Sequence, residues 1–178
     1  SAAAQFRQKP LLGKAQSPFS FNTLEILHGR LLSSSALADN GEKLLGNWKL
    51  VSLFTEDVQT KQRSNVLGEH PSGFIGFTPE RFFAVLMAEG RKAPQTAEEQ
   101  AAAYRTVVAY TGKWRLEGEK FVTKVDVAWN PGWVGTDQIR FWRVDGNKLF
   151  ITSAPTTMPG PDGTEKTMVA NVVWEREQ

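Results

Sequence analysis

From Gly46 onward, short apolar runs alternate with turns too short to hold a crossover, which restricts most of the chain to antiparallel β-structure. The runs cover residues 46–54, 74–78, 81–87, 112–116, 120–129, 136–144, 148–152 and 166–175. Pro79-Glu80, Glu117-Gly118, Asn130-Pro131-Gly132 and Asp145-Gly146 separate several of them. Asp-Gly between two apolar runs is the strongest of these hairpin signals, because a type I′ turn needs positive φ at both central residues. Eight antiparallel strands leave two bare edges unless the sheet closes on itself. Closure predicts a mainly β, eight-stranded up-and-down barrel able to enclose one small ligand. The alternative is an open sandwich of the same strands.

One helix interrupts the strands. In TAEEQAAAYRTVVAY, Thr96 is placed to cap residues 96–109 and Glu99 to complete a capping box, while Ala101, Tyr104 and Val108 share a face. A second helix is predicted over residues 23–33, where Asn22 and Glu25 resemble a capping box and Leu24, Leu27, Leu31 and Leu32 recur at helical spacing. The first 20 or so residues have the composition of a tail. Ala36-Leu37-Ala38 imitates a signal-peptide cleavage site, but the apolar stretch before it is short and broken by three serines. The expected organisation is a tail and short helix over residues 1–43, then a barrel over 44–177.

Composition narrows the chemistry. The 178 residues include no cysteine and only two histidines, His28 and His70, so cysteine-based sites and multi-histidine metal sites are excluded. The net charge of +2 comes from 21 basic and 19 acidic residues scattered in both signs, which argues against a nucleic-acid partner. No apolar run is long enough to span a bilayer as a helix. No cofactor motif is present, so no cofactor or metal is expected. Six Trp, eleven Phe and two Tyr supply large apolar bodies with polar tips, suited to a core, a ligand cavity or both.

Gly46-Asn47-Trp48 opens the first run and Trp174-Glu175-Arg176 ends the last. This pairing resembles the calycin superfamily, which includes the lipocalins, and the resemblance implies a tryptophan that seals one barrel end beneath a packed arginine. More closely, the chain is similar to the lipocalin-like domain family of bacteria and fungi. The residues that carry this are Leu44-Leu45-Gly46-Asn47-Trp48-Lys49-Leu50-Val51-Ser52, the segment from Pro71 to Phe77, Tyr110-Thr111-Gly112-Lys113-Trp114, the spaced set Pro131, Trp133, Gly135, Thr136, Gln138 and Arg140, and the closing Trp-Glu-Arg. The resemblance implies a carrier of small molecules. Histidines are common in that family on the strand before Pro131. This chain has Thr123-Lys124-Val125-Asp126 there, so an activity dependent on them would be absent or fall to Lys124 and Asp126.

Alternation along the strands supplies the candidate site. Phe121, Thr123, Val125, Val127 and Trp129 would share one side, and Gln138, Arg140 and Trp142 another. An inward Arg140 beside Gln138 would fix a carboxylate, carbonyl or phenol of an apolar guest; otherwise Arg140 and Asp126 would form a cross-strand surface ion pair. Tyr104 would aim inward from the helix or staple it to the sheet. Trp129 and Trp133 would form a lid or a local cluster. Met87 and Met168 are expected to fill core or cavity, and His70 to be solvated in its loop.

The ligand-binding candidates are thus Tyr104, Asp126, Trp129, Trp133, Gln138, Arg140 and Trp142, around a small hydrophobic ligand. The alternative is a cofactor-free isomerase, cyclase or dehydratase in the same cavity, with Asp126 as base, Tyr110 or Tyr104 as acid and Arg140 facing a developing oxyanion.

Overall fold

A turn over residues 41–45 delivers the chain to Gly46, whose φ of 110° favours glycine, and the first strand runs from there. The computed structural model describes residues 41–159 and 164–178. The predicted tail, the predicted helix over residues 23–33 and His28 lie outside the described residues. The strands are β1 (Gly46–Asp57), β2 (Arg63–Ser64), β3 (Ser72–Phe77), β4 (Arg81–Met87), β5 (Val107–Glu117), β6 (Lys120–Ala128), β7 (Asp137–Asp145), β8 (Lys148–Ser153), β9 (Thr156–Pro159) and β10 (Glu165–Arg176). Helix α1 (Ala97–Arg105) precedes β5, and a single 3-10 turn at Pro131–Trp133 lies between β6 and β7.

Neighbours pair antiparallel in the order β1, β3, β4, β5, β6, β7, β8, β10, and β10 returns to pair with β1 along residues 48–57. Eight strands therefore close into a barrel, and the open sandwich is ruled out. Two short strands were not foreseen: β2 extends the outer edge of β1, and β9 pairs with the start of β10.

Helix α1 stops at Arg105 rather than continuing to residue 109. Val107, Val108 and Ala109 instead pair with Met87, Leu86 and Val85 of β4, so cross-strand partners override helical propensity. Thr96 and Glu99 form the reciprocal capping box that their spacing predicts. No residue of α1 is buried, so the helix rides outside the wall.

The barrel floor is dense with rings. Trp48, Phe82, Phe121 and Leu149 are at most 2% exposed. Phe77 contacts Phe82, Trp114 and Phe121 at centroid separations of 4.8–5.2 Å. Trp48 lies beneath the Arg176 guanidinium, 4.0 Å from ring to carbon, and donates its indole N–H to the Leu44 carbonyl at 2.9 Å. This is the plug that the first and last motifs predict. On the outer face of β3 and β4, Phe74, Phe83, Val85 and Met87 are exposed, so Met87 fills neither core nor cavity.

Candidate functional site

The inward positions divide the barrel into a fully packed half and a less buried half. Around the floor, Ile75, Phe77, Phe82, Phe121, Leu149 and Trp174 are buried. Toward the other end, Leu53, Ser153, Met168, Ala170 and Val172 also point inward by register, yet each keeps partial contact with solvent. Arg140 and Trp142 do the same. Leu67, from the loop between β2 and β3, is buried against the core. A separate shallow groove of about 350 Å³ lies on the outer wall between Phe74, Phe83 and Val85, apart from this lumen.

Strand pairing sets which side chains enter the lumen. Arg140 stands opposite Phe121 of β6 and Ser153 of β8, and Gln138 stands opposite Thr123, so both share the face of the buried Phe121. Trp142 follows on the same face. Gln138 is 2% exposed and its orientation is fixed at both ends. Its amide nitrogen donates to Thr136 Oγ1 at 3.1 Å, and Thr136 Oγ1 donates to the Trp133 carbonyl at 2.7 Å. Its amide oxygen accepts from Arg140 at 3.3 Å. Arg140 also donates to the Ile139 carbonyl at 2.8 Å, and its guanidinium carbon lies 5.9 Å from the centre of the Tyr110 ring.

Tyr110 points inward opposite Ala84. Burial pushes its phenol above the ordinary value of 10.0, while the neighbouring Arg140 opposes that shift. The hydroxyl therefore stays protonated at neutral pH and can donate. Its ring continues outward into Trp133 at 5.3 Å and from there into Trp129 at 4.8 Å. The two tryptophans thus form one ring cluster at the rim, joined to the core through Tyr110 and Phe82.

Two candidates lie elsewhere. Asp126 occupies an extra position in β6: Gly112 pairs with Val125 and Thr111 with Val127, leaving Asp126 between them as a bulge. It points to the outer surface and pairs with Arg81 at 2.7 Å, not with Arg140. The same bulge turns Val127 outward, where it is 62% exposed, so the simple alternation of this strand fails after Val125. Lys124 is also outside, donating to the Gly135 carbonyl at 2.7 Å. Tyr104 is 48% exposed and its hydroxyl donates to the Trp129 carbonyl at 3.2 Å, which staples α1 to the rim rather than entering the lumen. His70 is exposed in its loop, as expected.

Two polar residues on the inward face, Thr123 and Ser153, are not among the ligand-binding candidates of the sequence. Thr123 is fully buried, and its Oγ1 has no hydrogen-bond partner. The indole nitrogen of Trp142 is likewise buried and unpartnered. Thr123 was legible as a polar residue alternating with Phe121 and Val125; Ser153 becomes visible only through the pairing of β8 with β7.

Among the described residues no group of three or more His, Cys, Asp or Glu side chains is arranged to hold a metal ion. No helix among them is long and apolar enough to cross a membrane. No curated protein and no solved structure matches the chain. A model of the lipocalin-like domain matches residues 45–177, the whole of the closed barrel with its floor motif at one end and its final arginine at the other, and the chain belongs to that family.

Proposed function

We propose that the less buried half of the barrel holds a small, mostly apolar or aromatic molecule. The lipocalin-like barrel is in general a small-molecule-binding scaffold. The observation that supports occupancy here is the partial solvent contact of inward side chains such as Leu53, Trp142, Ala170 and Val172, above a floor that is fully packed. Apolar walls with a few convergent polar groups are the usual make-up of such a site. Trp133, Trp142 and Tyr110 supply aromatic wall, and Gln138 and Arg140 the polar groups.

The isomerase, cyclase or dehydratase reading needs an acid and a base at the guest. Tyr110 suits the acid. Asp126, the carboxylate assigned as base, is on the far side of the wall in an ion pair, so binding without chemistry is the reading favoured.

The test is a titration with N-phenyl-1-naphthylamine, a neutral probe that fluoresces in apolar surroundings. Saturable one-to-one binding is expected, with affinity falling by about tenfold or more in Ala170→Phe, which pushes a ring into the lumen. Absence of saturable binding, or an unchanged affinity in a folded Ala170→Phe variant, rejects the proposal.

A further inference from the structure

We propose that the lumen seats a carboxylate, so that the guest is a monoanion with an apolar or aromatic body. This rests on the cavity reading above and names the chemistry of its ligand.

The argument is an inventory of charge and of donors. Arg140 faces the lumen, and among the described residues no carboxylate lies within ion-pair distance of it. The arginines at 63, 81, 115 and 143 all have acidic partners. The carboxylates flanking the site are committed outside, Asp126 to Arg81 and Asp137 to Arg115 and Lys124. A guanidinium carries five N–H groups. One is used by the Ile139 carbonyl, one by Gln138 and one by the Tyr110 hydroxyl, which leaves two without a protein acceptor. A half-buried cation without a counter-charge is only partly solvated, and an anion that enters beside it gains a charge-assisted pair.

The neighbours add donors. Trp142 Nε1 is buried without a partner and can only donate. Thr123 Oγ1, opposite Gln138, is buried without a partner and can also donate. The Gln138 oxygen, the natural acceptor in the group, is already turned toward Arg140. Donors thus outnumber free acceptors, and one positive charge stands uncompensated. A carboxylate brings one negative charge and two oxygens that together accept about four hydrogen bonds, and it meets a guanidinium edge-on through two parallel bonds. A single cation within aromatic walls selects one anionic group on an otherwise apolar molecule.

The test compares two probes of one shape, 2-naphthoate and 2-naphthalenemethanol, titrated at neutral pH against tryptophan fluorescence. The native protein is expected to prefer the acid by about tenfold or more. In Arg140→Met the preference for the acid over the alcohol falls to near parity, and in Arg140→Lys, with charge but no fork, it lies between. Equal native affinities for the two probes, or a preference retained in Arg140→Met, overturns the carboxylate assignment and leaves the cavity standing. If neither probe binds the native protein, the cavity reading falls and this inference with it. The native ratio is decisive by itself where a variant does not fold.

Discussion

Trp48 and Arg176 stand opposite each other on the first and last strands of the barrel, and the guanidinium covers the indole at 4.0 Å. The same guanidinium donates to the Leu45 and Lys43 carbonyls at 2.6 Å each, so one side chain joins the seam of the barrel to the turn that enters it. Arg176→Ala removes two charge-assisted hydrogen bonds and the ring contact, an expected loss of about 2–4 kcal/mol. Arg176→Lys keeps the charge but not the fork and should recover only part of it. Urea denaturation measures both. An unchanged midpoint in Arg176→Ala would show that the plug does not hold the seam.

Gly112 is required by a close approach of two strands. A Cβ placed there would overlap the Lys124 carbonyl oxygen, a backbone atom of the bulged β6 that cannot move without breaking the β5–β6 ladder. Gly112→Ala should cost about 3 kcal/mol or more, at the upper end for overpacking. A melting temperature equal to that of the native protein would mean that the bulge is softer than its geometry implies.

That bulge also marks where sequence reading stopped being sufficient. The barrel was legible because short turns and period-two apolar runs constrain topology by themselves, and the floor because Trp48 and Arg176 sit at the two ends of the pattern. Arg140, Gln138 and Trp142 were legible as one face of an unbroken strand. Asp126 was not, since a single extra residue in β6 inverts alternation and carries no sequence mark of its own. The end of α1 was misjudged for a related reason. Val107 and Val108 continue the helical pattern, and only their pairing with β4 makes them strand.

Two carboxylates link the loops to acid stability. Glu89 accepts from the backbone N–H groups of Glu69 and His70 at 3.0 and 2.9 Å, and these bonds hold its pKa below the ordinary 4.5. Asp57 accepts from Thr60 and Gln59 in the turn after β1, which lowers its pKa below 3.8. Both groups therefore bind protons more weakly in the folded chain than in the unfolded one. Their contribution is complete above the ordinary values and is lost as pH falls from there through the depressed folded values. The double variant Asp57→Asn, Glu89→Gln should show a shallower fall in stability on acidification, read from urea midpoints between pH 6 and pH 3. An acid limb as steep as the native one would assign acid sensitivity to other groups.

The Arg81–Asp126 pair separates the binding reading from the catalytic one. Its two side chains are 33% and 45% exposed and meet on the outer surface, where such a pair contributes about 1 kcal/mol or less. Asp126→Asn should therefore shift stability by no more than that and leave the affinity for N-phenyl-1-naphthylamine unchanged, because the wall of the barrel stands between this carboxylate and the lumen. Arg81→Gln should behave in the same way. If Asp126 instead served as a base toward a bound molecule, Asp126→Asn would abolish turnover while Arg81→Gln altered only its pH dependence. Native protein that leaves a bound guest chemically unchanged, with both variants binding as the native protein does, is the outcome that the outward bulge predicts; mass spectrometry of the guest recovered after incubation distinguishes the two.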